Sequence, residues 1–405
     1  MTDTFPMHLD DASRRLQWRA RMVGVIALAA CAFGFGVSRE QFFQSYLLGY
    51  VLILGITLGS LAILMLQHLT GGAWGLVIRR VLEAVVGTMP VLVGLFLPLL
   101  GGLSELFLWA RPEAVAADTA LQAKRPYLNV PFFIVRAGFY FAVWTGLALI
   151  LARWSREQDT NPEAIAGSRV RRFRLLAAPG LLLYGLTVTF AAVDWVMSLD
   201  PHWFSTIIGV LIMGGQGLSG LAFAIAALAV LSRHEPLASV VRPSHFHDLG
   251  KLLLAFVMLW AYFSFSQFLI IWSANLPEEI PWYLHRMHGG WQWIALALVV
   301  GHFALPFLLL LSRDAKRRAP VLMKVALALI VMRLFDLFWM IAPNFHTERL
   351  RVHWLDIAAP LGLGALWLSF FVANVQARPL LPVNDPYLKE ALEEYADSGQ
   401  AHELE

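Results

Sequence analysis

Arg136, Asp194 and His288 stand near the ends of long apolar runs, and Glu83, Lys251, His302, Arg333 and Asp336 stand inside such runs. At a helix centre in hydrocarbon a charged side chain costs on the order of 2.5–3.5 kcal/mol on insertion scales, so each needs a partner, a route to water or a function. Carboxylates and imidazoles can hold and pass protons, and one within hydrogen-bond reach of a hydroxyl can take its proton. Arg136 and Asp194 fall on consecutive antiparallel helices at similar depth, which leaves open both a structural ion pair and a ligand site. Arg333 and Asp336 are spaced i,i+3, so they share a helix face and can neutralise each other. Glu83 and Lys251 sit about one turn inside their runs and either pair across two helices or snorkel to water. His302 is alone at mid-run, where a hydrogen bond to a neighbouring helix is the ordinary use; with no second histidine at matching depth, bis-histidine haem is not expected. Asp200 and His202 lie nearer the surface and, with Asp194, Asp336 and His288, complete a candidate proton relay.

The elements that must position these groups are membrane helices. The 405 residues are 58% hydrophobic and 15% charged, with mean hydropathy +0.63, outside the range of soluble globular chains. One cysteine, Cys31, excludes intramolecular disulfides, iron-sulfur ligation and covalent haem attachment by this chain, so any redox centre belongs to a partner. No metal-ligand motif and no nucleic-acid patch is present. Apolar runs near 22–37, 42–66, 76–100, 131–152, 173–198, 203–231, 248–273, 288–312, 320–342 and 354–376 are long enough to span ~30 Å of hydrocarbon at ~1.5 Å per residue. Backbone satisfaction in lipid makes them helices. The expected fold is an all-α polytopic membrane protein of about ten spans.

Residues 1–21 read as a polar lead before a retained anchor rather than a cleaved signal. Lys and Arg number roughly twenty in the loops on the N-terminal side against roughly seven opposite, which places both termini in the cytoplasm. Residues 22–376 form the membrane domain and 377–405 a cytoplasmic tail, in which Asp385 and Pro386 suit the N-cap and first turn of a helix through Tyr395. The loop Gly101–Val130 is expected along the interface. In Leu259–Trp293 an aromatic run, an acidic turn and a second run meet at one face, with Phe263, Phe265, Phe268, Trp272, Trp282, Tyr283 and Trp291 forming an aromatic belt around Gln267, Arg286, His288 and Gln292.

An internal repeat is visible without gaps. Phe43-Gln-Ser45-Tyr-Leu-Leu-Gly49 matches Trp203-Phe-Ser205-Thr-Ile-Ile-Gly209, and Pro131-Phe-Phe-Ile-Val-Arg136 matches Pro281-Trp-Tyr-Leu-His-Arg286. Spans two to five (about 42–198) and six to nine (about 203–342) are thus two copies of a four-helix bundle. Four crossings make the copies parallel, with the first and tenth spans peripheral. Chance similarity between apolar helices is the competing explanation. Asp194 and Asp336, each followed by an aromatic and a methionine, are repeat partners.

The stretches DWVMSLDPHWFSTIIGVLIMGGQ (194–216), FSFSQFLIIWSANLPEEIPWY (263–283) and LLPVNDP (380–386) resemble the NrfD-like membrane subunits of alternative complex III, a bacterial quinol:cytochrome c oxidoreductase, and most nearly the smaller of its two ten-helix subunits, the F subunit. The resemblance covers nearly the whole chain. It implies two four-helix bundles with two flanking helices in the bacterial inner membrane. It also implies partners: the larger related membrane subunit, an extracytoplasmic iron-sulfur, molybdopterin-like protein and multihaem c-type cytochromes, which carry the haem and iron-sulfur centres. A quinone such as menaquinone and a proton path are further implications. For quinone the candidates are Arg136, Asp194 and His288; for protons they are Glu83, Lys251, His302, Arg333, Asp336 and Asp194. Two readings from other classes stand beside this one, a secondary transporter, suggested by parallel repeats and midplane charges, and a purely structural anchor with every charge paired.

Overall fold

The computed structural model describes residues 11–160, 168–382, 384, 385 and 388. Among them ten helices are long and apolar enough to cross a membrane: Asp11–Val37, Arg39–Thr70, Trp74–Leu100, Val130–Thr160, Arg171–Leu199, Ile208–Leu231, Pro243–Ala274, Trp291–Leu311, Ala319–Asn344 and Leu355–Gln376. The described residues contain no strand, and the chain is an all-α polytopic membrane protein. Ten crossings return the end of the tenth span to the side on which the first begins; we call this side the terminal face and the other the far face.

Packing divides the ten spans into two rings. The second span packs on the third, the third on the fourth, the fourth on the fifth and the fifth back on the second; spans six to nine close a second ring in the same order. The second and sixth spans meet between the rings and are the most enclosed, with 89% and 83% of their central windows buried. The seventh and eighth, at 22% each, lie outermost. The tenth span packs on the second and third, and the first on the tenth.

Small residues set the contact between rings. A Cβ on Gly59 would lie 1.8 Å from the Gln216 carbonyl oxygen, and one on Gly220 would lie 2.7 Å from the Ser60 amide nitrogen. Backbones approach this closely only where side chains are absent. Gly49 and Gly209, which the repeat pairs, also seat neighbours: a Cβ would come within 2.8 Å of Pro360 at the first and 2.5 Å of the Thr189 hydroxyl at the second.

Several boundaries differ from the apolar runs, each for a local reason. The sixth span begins at Ile208 rather than near 203, because Trp203 stacks on Trp282 at 4.6 Å and Ser205 donates to Gln267 at 2.6 Å, which holds 203–207 as a loop. The eighth begins at Trp291 after Gly289 and Gly290, whose φ of +62° and +102° suit glycine alone. It also carries a π-helical turn at Leu298–Ala304. The third span is interrupted at Gly87 and Thr88, just before Pro90, which has no N–H to donate. The connection 101–129 folds onto the first ring as short helices, burying Phe107, Trp109 and Leu121, so it is not simply laid along the interface. From Asp11 the polar lead is already helical, and the helix expected from Asp385 through Tyr395 lies largely outside the described residues.

Candidate functional site

The first ring carries a buried ion pair near the far face. Arg136 on the fourth span donates through Nε to Asp194 Oδ2 at 2.8 Å and through Nη2 to Oδ1 at 2.9 Å, a bidentate fork. Tyr140 donates its hydroxyl to Asp194 Oδ2 at 2.8 Å, and Arg136 Nη1 donates to the Tyr127 carbonyl at 2.8 Å. The guanidinium lies 3.9 Å from the centroid of the Tyr127 ring. Burial, then the Asp194 charge, pushes the Tyr127 hydroxyl up to about 12, so it stays protonated at neutral pH. Asp194 is fully buried and its oxygens are taken. As a ligand or proton carrier it would have to release one of these donors first.

His288, expected to join this pair, does not. It is exposed in the loop before the eighth span, and no hydrogen bond or ion pair links its side chain to Arg136 or Asp194. Beside the pair, a groove of about 340 Å³ opens between the 123–128 loop and residues 193–204. Tyr127, Leu128, Met197, Trp203 and Phe204 give it largely apolar walls, with Lys124, Ser198 and Asp200 as polar points, the composition of a small-molecule site. Asp194 does not line it. His202, two residues after Asp200, does not line the groove; its Nε2 lies 2.6 Å from Asp118 Oδ2.

The second ring spends its charges differently. Arg333 pairs with Asp336 on its own helix, and Trp260 Nε1 donates to Asp336 Oδ2 at 3.0 Å. The Arg333 guanidinium fills the notch left by Gly215, where a Cβ would lie 2.1 Å from its Cζ. His302 stacks on Trp260 at 4.1 Å between centroids, is fully buried, and has no hydrogen-bond partner at either ring nitrogen. The expected bond to a neighbouring helix is therefore missing, and the imidazole sits in the π-helical turn, a distortion common at functional sites. Arg286, the repeat partner of Arg136, meets no carboxylate. It donates to the carbonyls of Trp282 at 2.8 Å, Met340 at 3.0 Å and Trp339 at 3.1 Å, and to Asn344 Oδ1 at 3.1 Å. Burial pulls Arg286 down to about 9, against the opposing Asp200 charge, and the group remains a cation at neutral pH.

At the terminal face Glu83 and Lys251 do not pair. Lys251, 58% exposed at its side chain, bonds Asp248 on its own helix at 3.1 Å. Glu83 is buried among Arg79 at 2.9 Å, Arg80 at 2.7 Å and the Ser155 hydroxyl at 2.8 Å. The network extends to Asp159, Gln158 and Asp385, the last bound to Arg79. The two arginines stand three and four residues before Glu83, so the spacing rule for helix faces points to them.

A group absent from the sequence reading is Asp356 at the start of the tenth span. Its Oδ1 accepts from Ser45 at 2.5 Å and from Gln41 at 3.1 Å, fastening the tenth span to the second. Ser45 lies inside the repeat segment 43–49, whereas its partner lies 311 residues away. Among the described residues no three of His, Cys, Asp and Glu converge to hold a metal ion. Neither models of known protein families nor curated protein sequences match this chain.

Proposed function

We propose that the chain is an NrfD-like integral membrane subunit of a quinol-oxidising respiratory complex, with both termini in the bacterial cytoplasm and electrons carried by partner subunits. One observation carries the reading: two four-helix rings closed in the same order, with two further helices added to one side, the architecture that the sequence resemblance implies. The far-face groove offers an apolar slot for a quinone ring, with Lys124, Ser198 and Asp200 among its lining residues. Arg136 and Asp194 brace the wall behind it. Asp336, Arg333 and His302 supply protonatable groups at depth in the second ring. What the chain contributes is scaffold first, then proton handling.

Two observations bear on the other readings. A transporter of parallel repeats would keep its substrate site between them near mid-depth. There the second and sixth spans touch backbone to backbone at Gly59 and Gly220, which leaves no room for a substrate. The anchor reading draws on the saturation of Asp194 by Arg136 and Tyr140. Purification of the tagged chain from native membranes in a mild detergent tests the proposal. It predicts large co-purifying subunits and a c-type haem band in the visible spectrum; a colourless, solitary protein that takes up solute in liposomes would make transport the better reading.

A further inference from the structure

At the terminal end of the first ring a cavity of about 180 Å³ lies between the third, fourth and tenth spans and the segment after the sixth. Its lining includes Arg80, Arg156 and Arg378 and one acidic residue, Glu83, beside apolar surface that includes Leu149 and Leu231. Glu83 is already held by Arg79 and Arg80. Arg378 reaches Glu83 and the Ala152 carbonyl only at 3.4 Å each. Arg156 is exposed and has no carboxylate partner among the described residues. With Arg79, Asp159 and Asp385 behind the wall included, four guanidiniums face three carboxylates, so a positive charge is left over.

Arg80 in this wall is spent on protein partners. Arg80 is 6% exposed, yet its Nε–H is buried without an acceptor, although both Nη atoms are bonded. That N–H is sealed from a water-sized probe, so the donors left for a ligand are those of Arg156 and Arg378. The guanidinium fork matches the oxygens of a phosphate better than any other common anion except a carboxylate. The space admits several waters or one phosphate-sized group. Leu149, which lines the cavity, is 53% exposed on a membrane-spanning helix, so an acyl chain would continue outward along it.

We infer that this cavity binds a phosphate-ester group, held by Arg156 and Arg378, with the headgroup of an anionic phospholipid as the source that the apolar mouth favours and free phosphate as the other. The inference is independent of the respiratory role. The test uses the full chain in mild detergent, delipidated, with thermal unfolding followed as phosphatidylglycerol, diacylglycerol or inorganic phosphate is added. Phosphatidylglycerol raises the midpoint where diacylglycerol does not, and Arg156→Gln and Arg378→Gln each weaken its apparent affinity by about tenfold, the effect of one charge-assisted hydrogen bond. The same variant-sensitive rise with inorganic phosphate alone assigns the site to free phosphate. If Arg378→Gln fails to fold, Arg156→Gln, which removes no ion pair, gives the reading. No rise with either phosphate probe, a rise of equal size with diacylglycerol, or a rise that both variants keep, overturns the site.

Discussion

Asp194→Asn isolates the far-face ion pair. The side chain keeps its shape, but the charge goes, and with it one of the two acceptors in the fork at 2.8 and 2.9 Å from Arg136. The amide NH2 then faces a guanidinium N–H, donor against donor, and Arg136 is left as an uncompensated cation on a buried side chain. Neutral interhelical hydrogen bonds in membranes average ~0.6 kcal/mol, which would make the change minor. Stranding a buried charge costs ~3–5 kcal/mol, and that cost governs here because Asp194 is wholly enclosed. At ~2 °C per kcal/mol, the lower figure that suits a long chain, the midpoint falls by about 6–10 °C. Intrinsic fluorescence reports the event locally, since Trp144 and Trp195 pack around Tyr140. The double variant Arg136→Met with Asp194→Leu removes both charges and leaves only the Tyr140 hydroxyl unpaired, at ~1–3 kcal/mol, so it should melt above the single variant. A single variant within about 1 °C of wild type, or a double variant less stable than the single, would refute this reasoning.

Gly59→Ala drives a Cβ onto the Gln216 carbonyl and should lose ~3 kcal/mol or more of stability through overpacking, whereas Gly94→Ala, with nothing within 4 Å, should be neutral or slightly stabilising; comparative melting of the two checks it. His302→Phe keeps the stack on Trp260 and removes two unpaired ring nitrogens, so melting should stay or rise by the equivalent of ~1 kcal/mol, while proton release by the assembled complex falls; a lower midpoint means the imidazole has a bonded water. Asp118 has its carboxyl held below the usual range, chiefly by the His202 hydrogen bond; the contact therefore stabilises the 101–129 loop above the ordinary carboxylate pKa and is lost as pH falls through the lower folded value, which limited proteolysis of that loop on progressive acidification should register.

The spans were legible because a run of some twenty apolar residues has one stable form in lipid, and the order of the rings followed from Gly49 and Gly209 standing in the same register. Arg333 with Asp336 was legible from spacing alone, and Arg136 with Asp194 from depth. Spacing also contained Arg79 and Arg80, four and three residues before Glu83, which are nearer partners than Lys251 on another helix. Repeats preserve backbone position and release side chains to local need. Arg136 finds a carboxylate where Arg286 finds only carbonyls. Nothing periodic marks the π-helical turn at His302; the contacts of Ser45 with Asp356 and of Asp385 with Arg79 join residues more than 300 apart, which no local spacing reveals.

The most direct test of the account is quinol-dependent cytochrome c reduction in membranes from cells lacking this chain and in the same cells with it restored. The account predicts that the activity and the associated haem subunits are lost from the membrane together and return together on complementation. Undiminished quinol oxidation in membranes without the chain would contradict it.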